Sequence, residues 1–137
     1  MQTTDYRLFF DGACEREYKW GPRCATYGWI LTQGNTIVDG GKGIATKGYK
    51  ATNNVAEYHG LIAGLRACFG RGITNLMVCG DSQLVIRQME GKYRVKATHL
   101  YPLYREADRL CEEIGGVRFK WIPREHNEWA DHLSRDL

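Results

Sequence analysis

The spacing of hydrophobic residues along the chain predicts five strands and four helices. The predicted strands cover residues 6–10, 27–32, 36–45, 73–80 and 117–122, and the charged segment over residues 13–25 is predicted to be a loop. The predicted helices cover residues 53–69, 84–90, 100–114 and 127–133. Successive strands favour an antiparallel meander, and the helices after them favour crossovers to parallel strands. We therefore expect an α/β fold: a five-stranded mixed sheet, three antiparallel strands then two parallel strands, with helices on both faces.

The helix predicted over residues 53–69 has a clear amphipathic pattern. Its apolar face comprises Val55, Tyr58, Leu61, Ile62, Leu65, Cys68 and Phe69. Thr52 or Asn53 can cap its start. Glu57 is expected on the rim of the apolar face, on the same side as Gly60 and Gly64. Because a glycine inside a helix costs about 1 kcal/mol relative to alanine, the two glycines indicate close approach by neighbouring chain or by a ligand.

Acidic residues come together at one edge of this predicted sheet. Asp11 follows the first strand, Asp81 follows the fourth, and Glu57 lies on the helix that crosses between them. Asp131 lies on the last helix. Carboxylates this close repel one another unless they are protonated or bridged by cations, and hard divalent ions such as Mg²⁺ prefer oxygen ligands. The pattern predicts a metal site, although each acid alone is more often a solvated or capping residue, and Glu57 fits a first-turn carboxylate stabilised by the helix dipole.

Composition sets limits on this picture. A chain of 137 residues with 43% hydrophobic and 26% charged residues fits a single domain over residues 1–137. The net charge of +3 is compatible with nucleic-acid binding without demonstrating it. Five widely spaced cysteines without a Cys-x-x-Cys pair argue against a disulfide framework or a zinc site and favour the reducing cytoplasm. No apolar run resembles a signal peptide or a membrane span, so no membrane partner is expected.

Four motifs in register resemble those of the type 1 ribonuclease H family, and the resemblance covers nearly the whole chain. They are Asp11-Gly12, Asn54-x-x-Glu57, Asp81-Ser82-Gln83 and Asn127-x-x-x-Asp131. The surrounding sequence is similar to that of compact, archaeal-like members, which lack a basic protrusion. The fold expected above is then a ribonuclease H-like sheet.

The resemblance implies a catalytic mechanism and a substrate. It implies that Asp11, Glu57, Asp81 and Asp131 hold two Mg²⁺ ions, with Mn²⁺ as a substitute. Two-metal catalysis of this kind supports in-line attack of water at phosphorus. The implied substrate is the RNA strand of an RNA–DNA hybrid, cut internally to leave 5′-phosphate and 3′-hydroxyl ends.

The resemblance also implies substrate contacts. Asn54, Gln83 and the backbone near Cys14 match positions that contact ribose 2′-hydroxyls. Thr52 and Asn53, at a helix N-terminus, match positions that hold a phosphate of the DNA strand. The remaining members of the predicted substrate-binding set adjoin the catalytic acids or lie in a basic run; they are Gly12, Ser82, Lys92, Tyr93 and Arg94.

Two cationic candidates lie between the last strand and the last helix. Relatives carry a mobile His or Arg there that assists product release, and Arg124 falls within the motif. For His126 a surface residue that caps the last helix is the simpler interpretation, and a role in proton transfer is the alternative. The chain departs from many relatives in the longer, charged segment at residues 15–22, which puts the usual contact of that loop in question.

The basic run Lys92-Tyr93-Arg94-Val95-Lys96 lies where larger relatives insert a basic helix and loop. It is either a solvated face or an edge that binds the hybrid through phosphate contacts and stacking.

Other functions remain open from the sequence. The same fold serves as a noncatalytic nucleic-acid-binding domain, as a ribonuclease H domain excised from a reverse transcriptase, and in related DNA nucleases. Four acids in register favour an enzyme, and a chain that opens with Met1 and spans one complete fold favours a free-standing enzyme over an excised domain. We expect a monomer. Cleavage of double-stranded RNA stays open.

Overall fold

The computed structural model describes residues 5–16 and 23–135, which form a mixed sheet and helices in the predicted order. The elements are β1 (Tyr6–Arg16), β2 (Arg23–Gln33), β3 (Thr36–Lys47), α1 (Asn53–Gly70), β4 (Leu76–Gly80), α2 (Gln83–Met89), α3 (Tyr101–Ile114), β5 (Val117–Trp121) and α4 (Glu128–Arg135), with a short 3₁₀ turn at Arg124–His126 before α4.

The strand order is β3-β2-β1-β4-β5. β1–β2 and β2–β3 are antiparallel, whereas β1–β4 and β4–β5 are parallel. The predicted α/β class and sheet are therefore confirmed. Side chains on a strand alternate between the two faces of a sheet. Leu8 and Phe10 of β1 accordingly join the core beneath α1 and α3, whereas Phe9 lies beside Ala130 of α4.

β1 and β2 are longer than predicted. β1 continues through Asp11 and pairs with β2 as far as Arg16 opposite Arg23. The prediction of a loop over residues 13–25 is thus wrong for residues 13–16 and 23–25, and residues 17–22 lie outside the described part. Antiparallel pairing with β2 holds this extension of β1, although it contains charged, exposed positions such as Glu15. Those charged residues hid the strand pattern in the sequence.

β4 begins at Leu76 rather than at Ile73. A turn separates it from α1, with Gly72 and Asn75 at φ of 72° and 58°. Both values lie in the left-handed region, which glycine and asparagine tolerate best. Ile73 is nevertheless buried in the core. None of the helices in the described residues has the length and apolar character needed to cross a membrane.

α1 is the central helix of the core. The hydroxyl of Thr52 accepts a hydrogen bond from the Val55 N–H at 3.2 Å, which selects Thr52 as the cap. The predicted apolar face is buried except for Phe69, which is 48% exposed at the end of the helix. The buried surface is wider than one face because α1 packs against both the sheet and α3.

Gly60 and Gly64 explain how closely α1 approaches the sheet. A Cβ atom at Gly60 would lie 2.9 Å from the Asp11 carbonyl oxygen, and one at Gly64 would lie 2.6 Å from Leu8 Cδ1. The predicted close approach is confirmed, and the neighbour is strand β1. This packing brings Glu57 against Asp11.

Candidate active site

Three carboxylates meet at the end of the central parallel strand pair. The last paired residues of β1 and β4 are Phe10 and Gly80. Asp11 and Asp81 follow them directly, and Glu57 reaches the same point from α1. One oxygen of each carboxylate lies within 4.8 Å of the others. The predicted meeting of these three acids is therefore confirmed.

Gly12 joins the two buried acids of this cluster. Its backbone N–H donates to Oδ1 of Asp11 at 2.9 Å and to Oε1 of Glu57 at 2.5 Å. A Cβ atom at this position would overlap the backbone of Glu57 and lie 2.7 Å from the Ala56 side chain. Glycine therefore permits the contact between β1 and α1 that fixes both carboxylates.

Glu57 differs in two respects from the prediction. It is 5% exposed, so it is buried and does not lie on the rim of the helix. With Thr52 as the cap, the first turn of α1 contains no acidic residue, and Glu57 falls in the second turn. The interpretation of Glu57 as a first-turn carboxylate favoured by the helix dipole is therefore wrong, because the helix starts earlier than that interpretation requires.

Burial governs the electrostatics of the site. Loss of hydration raises the pKa of Asp11 from 3.8 to about 7; the neighbouring Asp131 carboxyl and the charge of Asp81 act in the same direction. Burial also raises the pKa of Glu57 well above its usual value, and Asp11 adds to that effect. Oδ2 of Asp11 and Oε2 of Glu57 are buried without a hydrogen-bond partner among the described residues. Such oxygens are costly to bury unless a cation or a proton satisfies them.

Asp131 approaches the cluster from α4. It is not a member of the group of three oxygens within 4.8 Å, but it lies close enough to Asp11 to help raise the pKa of that carboxyl. Ser134, one turn further along α4, donates to the Asp131 carbonyl oxygen at 2.7 Å. The fourth predicted acid therefore lies beside the first one.

Asn127 is a site residue that the sequence analysis left without a role. It is 1% exposed, and its amide Nδ2 donates to the Phe10 carbonyl at 2.9 Å and to Oδ2 of Asp81 at 3.2 Å. The Trp121 indole N–H donates to the Asp81 carbonyl at 3.1 Å. The motif Asn127-x-x-x-Asp131 was a signal for Asn127, whereas no sequence signal pointed to Trp121.

A cleft of about 460 Å³ opens over the carboxylates. Its lining comprises Gly12, Cys14, Glu15, Asn53, Asn54, Glu57, Asp81, Ser82 and Arg124. The structure thus brings half of the predicted substrate-binding residues to one cleft with Glu57 and Asp81. Glu15 was not predicted, because its segment was interpreted as a loop.

A second depression of about 440 Å³ adjoins this cleft at the start of α1. Its lining comprises Cys14, Arg23, Thr52, Asn53 and Asn54. Thr52 therefore lies in this depression rather than in the cleft with the acids. Arg23, which the sequence analysis did not single out, adds a cation beside the helix N-terminus.

Several of the predicted contact residues also have structural roles. The Cys14 thiol donates to the Ala51 carbonyl at 3.2 Å. The Ser82 hydroxyl accepts from the Val85 N–H at 3.2 Å and so caps α2. Gln83, the first residue of α2, is exposed and lies outside the lining of the cleft.

Arg124 and His126 border different surfaces, although they are two residues apart. Arg124 lines the carboxylate cleft. His126 lines a separate groove of about 440 Å³ with Arg7 and Trp129, on the side of the sheet that α4 covers. This difference supports the choice of Arg124.

The basic run does not line either depression at the start of α1. Lys92, Tyr93 and Arg94 are exposed. The Lys92 ammonium lies 3.5 Å from the Glu90 carboxylate, which offsets part of its charge. Binding of the hybrid by this run therefore remains a prediction.

Together, the sheet order and the carboxylates after its parallel pair define a nuclease-like domain of the ribonuclease H fold. The sequence profile of the reverse transcriptase-like family matches residues 9–137. The structure of RNase H1 from the archaeon Halobacterium salinarum is 33% identical, with a TM-score of 0.83, and the match covers 96% of each chain. The chain belongs to the type 1 ribonuclease H family, as its motifs predicted.

Two further relatives widen the comparison. The structure of LC11-RNase H1 in complex with an RNA/DNA hybrid is 28% identical with a TM-score of 0.80, covering 94% of this chain and 93% of that one. Bifunctional protein Rv2228c of Mycobacterium tuberculosis is 38% identical over 118 residues, which are 84% of this chain and 31% of that protein. The chain thus spans about a third of the length of this relative.

Proposed function

We propose that this protein hydrolyses the RNA strand of RNA–DNA hybrids internally and leaves 5′-phosphate and 3′-hydroxyl ends. One observation carries the proposal. Asp11 and Glu57 are buried with an unpartnered oxygen each, and both meet Asp81 at the mouth of a cleft. The family membership of the chain, and the hybrid bound by LC11-RNase H1, support the choice of substrate.

The residues present fit divalent cations. The cluster offers carboxylate oxygens without nitrogen or sulfur ligands, which is the donor set that Mg²⁺ and Mn²⁺ prefer. A cation would also satisfy the unpartnered oxygens of Asp11 and Glu57. We propose that Asp11, Glu57, Asp81 and Asp131 hold two Mg²⁺ ions, with Mn²⁺ as a substitute. Bound cations would promote ionisation of a water and neutralise charge on the leaving oxygen.

The side chains around the acids position the substrate in this proposal. Asn54 and the backbone at Cys14 line the cleft, where they can contact the ribose 2′-hydroxyls that distinguish RNA from DNA. Gln83 would reach such a hydroxyl from the start of α2. Arg124 is the single basic side chain in the described lining of the cleft, where it can bind the cleaved phosphate and assist its release.

The neighbouring depression fits the uncut strand. Thr52 and Asn53 lie at the N-terminus of α1, where backbone N–H groups and the helix dipole favour a phosphate. Arg23 lines the same depression and adds positive charge. We propose that a phosphate of the DNA strand binds there.

The context of the domain is also a proposal. We propose a monomer that acts in the cytoplasm, which the five free cysteines support. Size-exclusion chromatography with light scattering would test the monomer, and fractionation of the source cells would test the location. Activity on double-stranded RNA is an outcome to be measured.

A comparison of substrates tests the proposed reaction. The protein is incubated with labelled hybrid, duplex RNA and duplex DNA in Mg²⁺ and then in Mn²⁺, and the cut ends are mapped. We expect internal cuts in the RNA of the hybrid, abolished in Asp81→Asn and retained in the control Glu112→Gln, an exposed acid on α3. A wild-type protein that binds the hybrid without cutting it would identify a noncatalytic binding domain, and cuts in duplex DNA would identify a different nuclease.

A further inference from the structure

The last turn of α4 is fastened to the sheet by the hydroxyl of Thr26. Thr26 lies on β2, opposite Ala13 of β1, and its hydroxyl donates to the carbonyl oxygen of Ser134. The carbonyl oxygens in the last turn of a helix have no N–H of the same helix to accept from. Thr26 therefore supplies, from the sheet, a donor that the described residues of α4 do not contain.

Ser134 carries this connection on to Asp131. Its side chain is fully buried, and its hydroxyl donates to the Asp131 carbonyl oxygen at 2.7 Å. A serine that bonds back to the preceding turn influences the direction of that turn, because it competes with the backbone bonds of the helix. Two successive hydrogen bonds thus lead from the sheet to the fourth acid. We refer to the pair of side chains that make them as the Thr26–Ser134 anchor.

α4 is also held at its start. The Asn127 amide donates to the Phe10 carbonyl and to the Asp81 carboxylate, and the Asp131 N–H donates to the Asn127 carbonyl at 3.0 Å. Asp131 therefore lies between two attachments to the rest of the domain, Asn127 on one side and the Thr26–Ser134 anchor on the other. A helix of eight residues is not stable alone in water, so tertiary contacts such as these decide where it lies.

Asp131 depends on this placement more than the buried acids do. The Gly12 N–H donates to the carboxylates of both Asp11 and Glu57, which fixes them where β1 contacts α1. Asp131 lies outside the group of three carboxylate oxygens within 4.8 Å, although it is close to Asp11. A small movement of α4 away from the sheet would take its carboxylate out of reach of an ion held by that group.

We propose that Thr26 and Ser134 are positioning residues of the cation site: they hold α4 so that the Asp131 carboxylate reaches an ion bound by the other three acids. The proposal rests on the proposed function, since it takes Asp131 as a ligand. Neither side chain of the anchor contacts the ion or the substrate. Their loss should therefore lower metal affinity.

Titration with cations in the absence of substrate tests the anchor. Isothermal titration calorimetry measures the affinities for Mn²⁺ and for Mg²⁺. Thr26→Val keeps the shape of the side chain and removes the donor, and it should weaken binding by roughly tenfold, the lower end of the effect typical of groups that support a metal ligand. Ser134→Ala should act in the same direction. Thr26→Ser, which keeps the hydroxyl, should bind as the wild type does, and a wild-type affinity in Thr26→Val would overturn the proposal.

Two controls separate positioning from stability. Thr36→Val, at the exposed start of β3, is the same substitution away from the site and should change nothing. Ile114→Val removes one buried methyl group before Gly115, whose carbonyl accepts from Asn75 ahead of β4, at the opposite end of that strand from the acids. It should lower the denaturation midpoint and leave cation affinity unchanged. An equal loss of affinity in Ile114→Val and Thr26→Val would show a general effect of stability and overturn the proposal.

A double-mutant cycle tests whether Thr26 acts through Asp131. Asp131→Asn alone should weaken cation binding, and the other three acids remain to hold an ion. Adding Thr26→Val to Asp131→Asn should then have no further effect, because the group that the anchor positions is already gone. If the two losses add in log affinity, Thr26 acts by another route and the proposal is wrong.

The two proposals fail in different ways. If the wild-type protein binds cations but cuts no hybrid, the proposed function fails, while the titrations still decide the role of Thr26. If it cuts the hybrid and Thr26→Val binds cations as the wild type does, the anchor proposal alone is overturned. If Asp131→Asn keeps the wild-type affinity, Asp131 is not a ligand and the anchor proposal falls with that assignment. A wild-type protein that binds no divalent cation would overturn both.

Discussion

The Asn127 amide holds Asp81 to the central strand of the sheet. Its Nδ2 donates to Oδ2 of Asp81 at 3.2 Å and to the Phe10 carbonyl at 2.9 Å, so one side chain links the last residue of the β1–β4 pairing to the acid that follows β4. Asn127 is buried, and its own Oδ1 has no partner among the described residues. This arrangement fixes the direction of the Asp81 carboxylate before any cation or substrate binds.

Asn127→Ala should impair the metal site more than the fold. Removing the amide frees the Asp81 carboxylate and leaves the Phe10 carbonyl without a donor; loss of such support typically lowers metal affinity or activity by about 10- to 100-fold. The free energy of unfolding should fall by about 1–3 kcal/mol, because the Phe10 carbonyl is left buried without a donor. The checks are hybrid cleavage as a function of Mg²⁺ concentration and denaturant unfolding. Asn35→Ala, at an exposed turn, is the control, and an unchanged Mg²⁺ dependence in Asn127→Ala would contradict the role given to Asn127.

Gly12→Ala should be disruptive although it adds a single methyl group. The new Cβ would overlap the backbone at Glu57, so β1 and α1 must separate, and overpacking of this kind costs about 1–3 kcal/mol. We expect a lower denaturation midpoint and loss of most hybrid cleavage, because the N–H of Gly12 would no longer reach both carboxylates. Gly70→Ala is the matched control: it lies at the end of α1, nothing would lie within 4 Å of its Cβ, and its stability should hold or rise. Equal behaviour of the two variants would argue against the close contact.

The sequence predicted the acids at this site because topology alone brings them together. An acid after each of two parallel strands and an acid on the crossover helix must meet at one edge of the sheet. Asp11, Glu57 and Asp81 needed no side-chain packing to be found. Asp131 was placed by the resemblance, and its contact with Asp11 agrees with it.

Features that depend on tertiary contact were missed. Glu57 is buried because Gly12 and Gly60 let β1 approach α1. A helical wheel gives no information about the distance between the helix and the strand. Asn127 contacts the Phe10 carbonyl across 117 positions of the chain, which no local pattern reports. Glu15 and Arg23 lie on paired strands, yet their charge in the sequence is typical of a loop.

Arg124→Ala and His126→Ala should differ in their effect on turnover. Arg124 lines the carboxylate cleft, so its loss removes positive charge that offsets the cleaved phosphate; we expect a kcat lower by about tenfold or more. His126 borders the groove beside Trp129 and should leave kcat unchanged. Steady-state kinetics with a saturating hybrid measures both. A normal kcat in Arg124→Ala together with a reduced one in His126→Ala would transfer the role to the histidine.

Without divalent cations, the protein should become less stable as the pH rises from about 4 to 7. Burial raises the pKa of Asp11 from 3.8 to about 7, so within this range the folded state holds a proton that the unfolded state has released. The unfolded state then binds fewer protons than the folded state. For this one proton, the free energy of unfolding falls by roughly 1.4 kcal/mol at most for each unit by which the pH rises. Glu57, whose pKa burial also raises, acts in the same direction.

Denaturant unfolding in EDTA across this pH range measures the effect, with Asp11→Asn as the comparison. Asn at this position carries no titratable proton, so the variant should have a flatter pH dependence and greater stability than the wild type near pH 7.5. Mg²⁺ should restore wild-type stability at that pH, since a ligand that binds the folded state alone shifts the equilibrium by mass action, and it should do little for Asp11→Asn. Parallel pH profiles for the two proteins in EDTA would show that Asp11 ionises normally and that its burial is compensated without a cation.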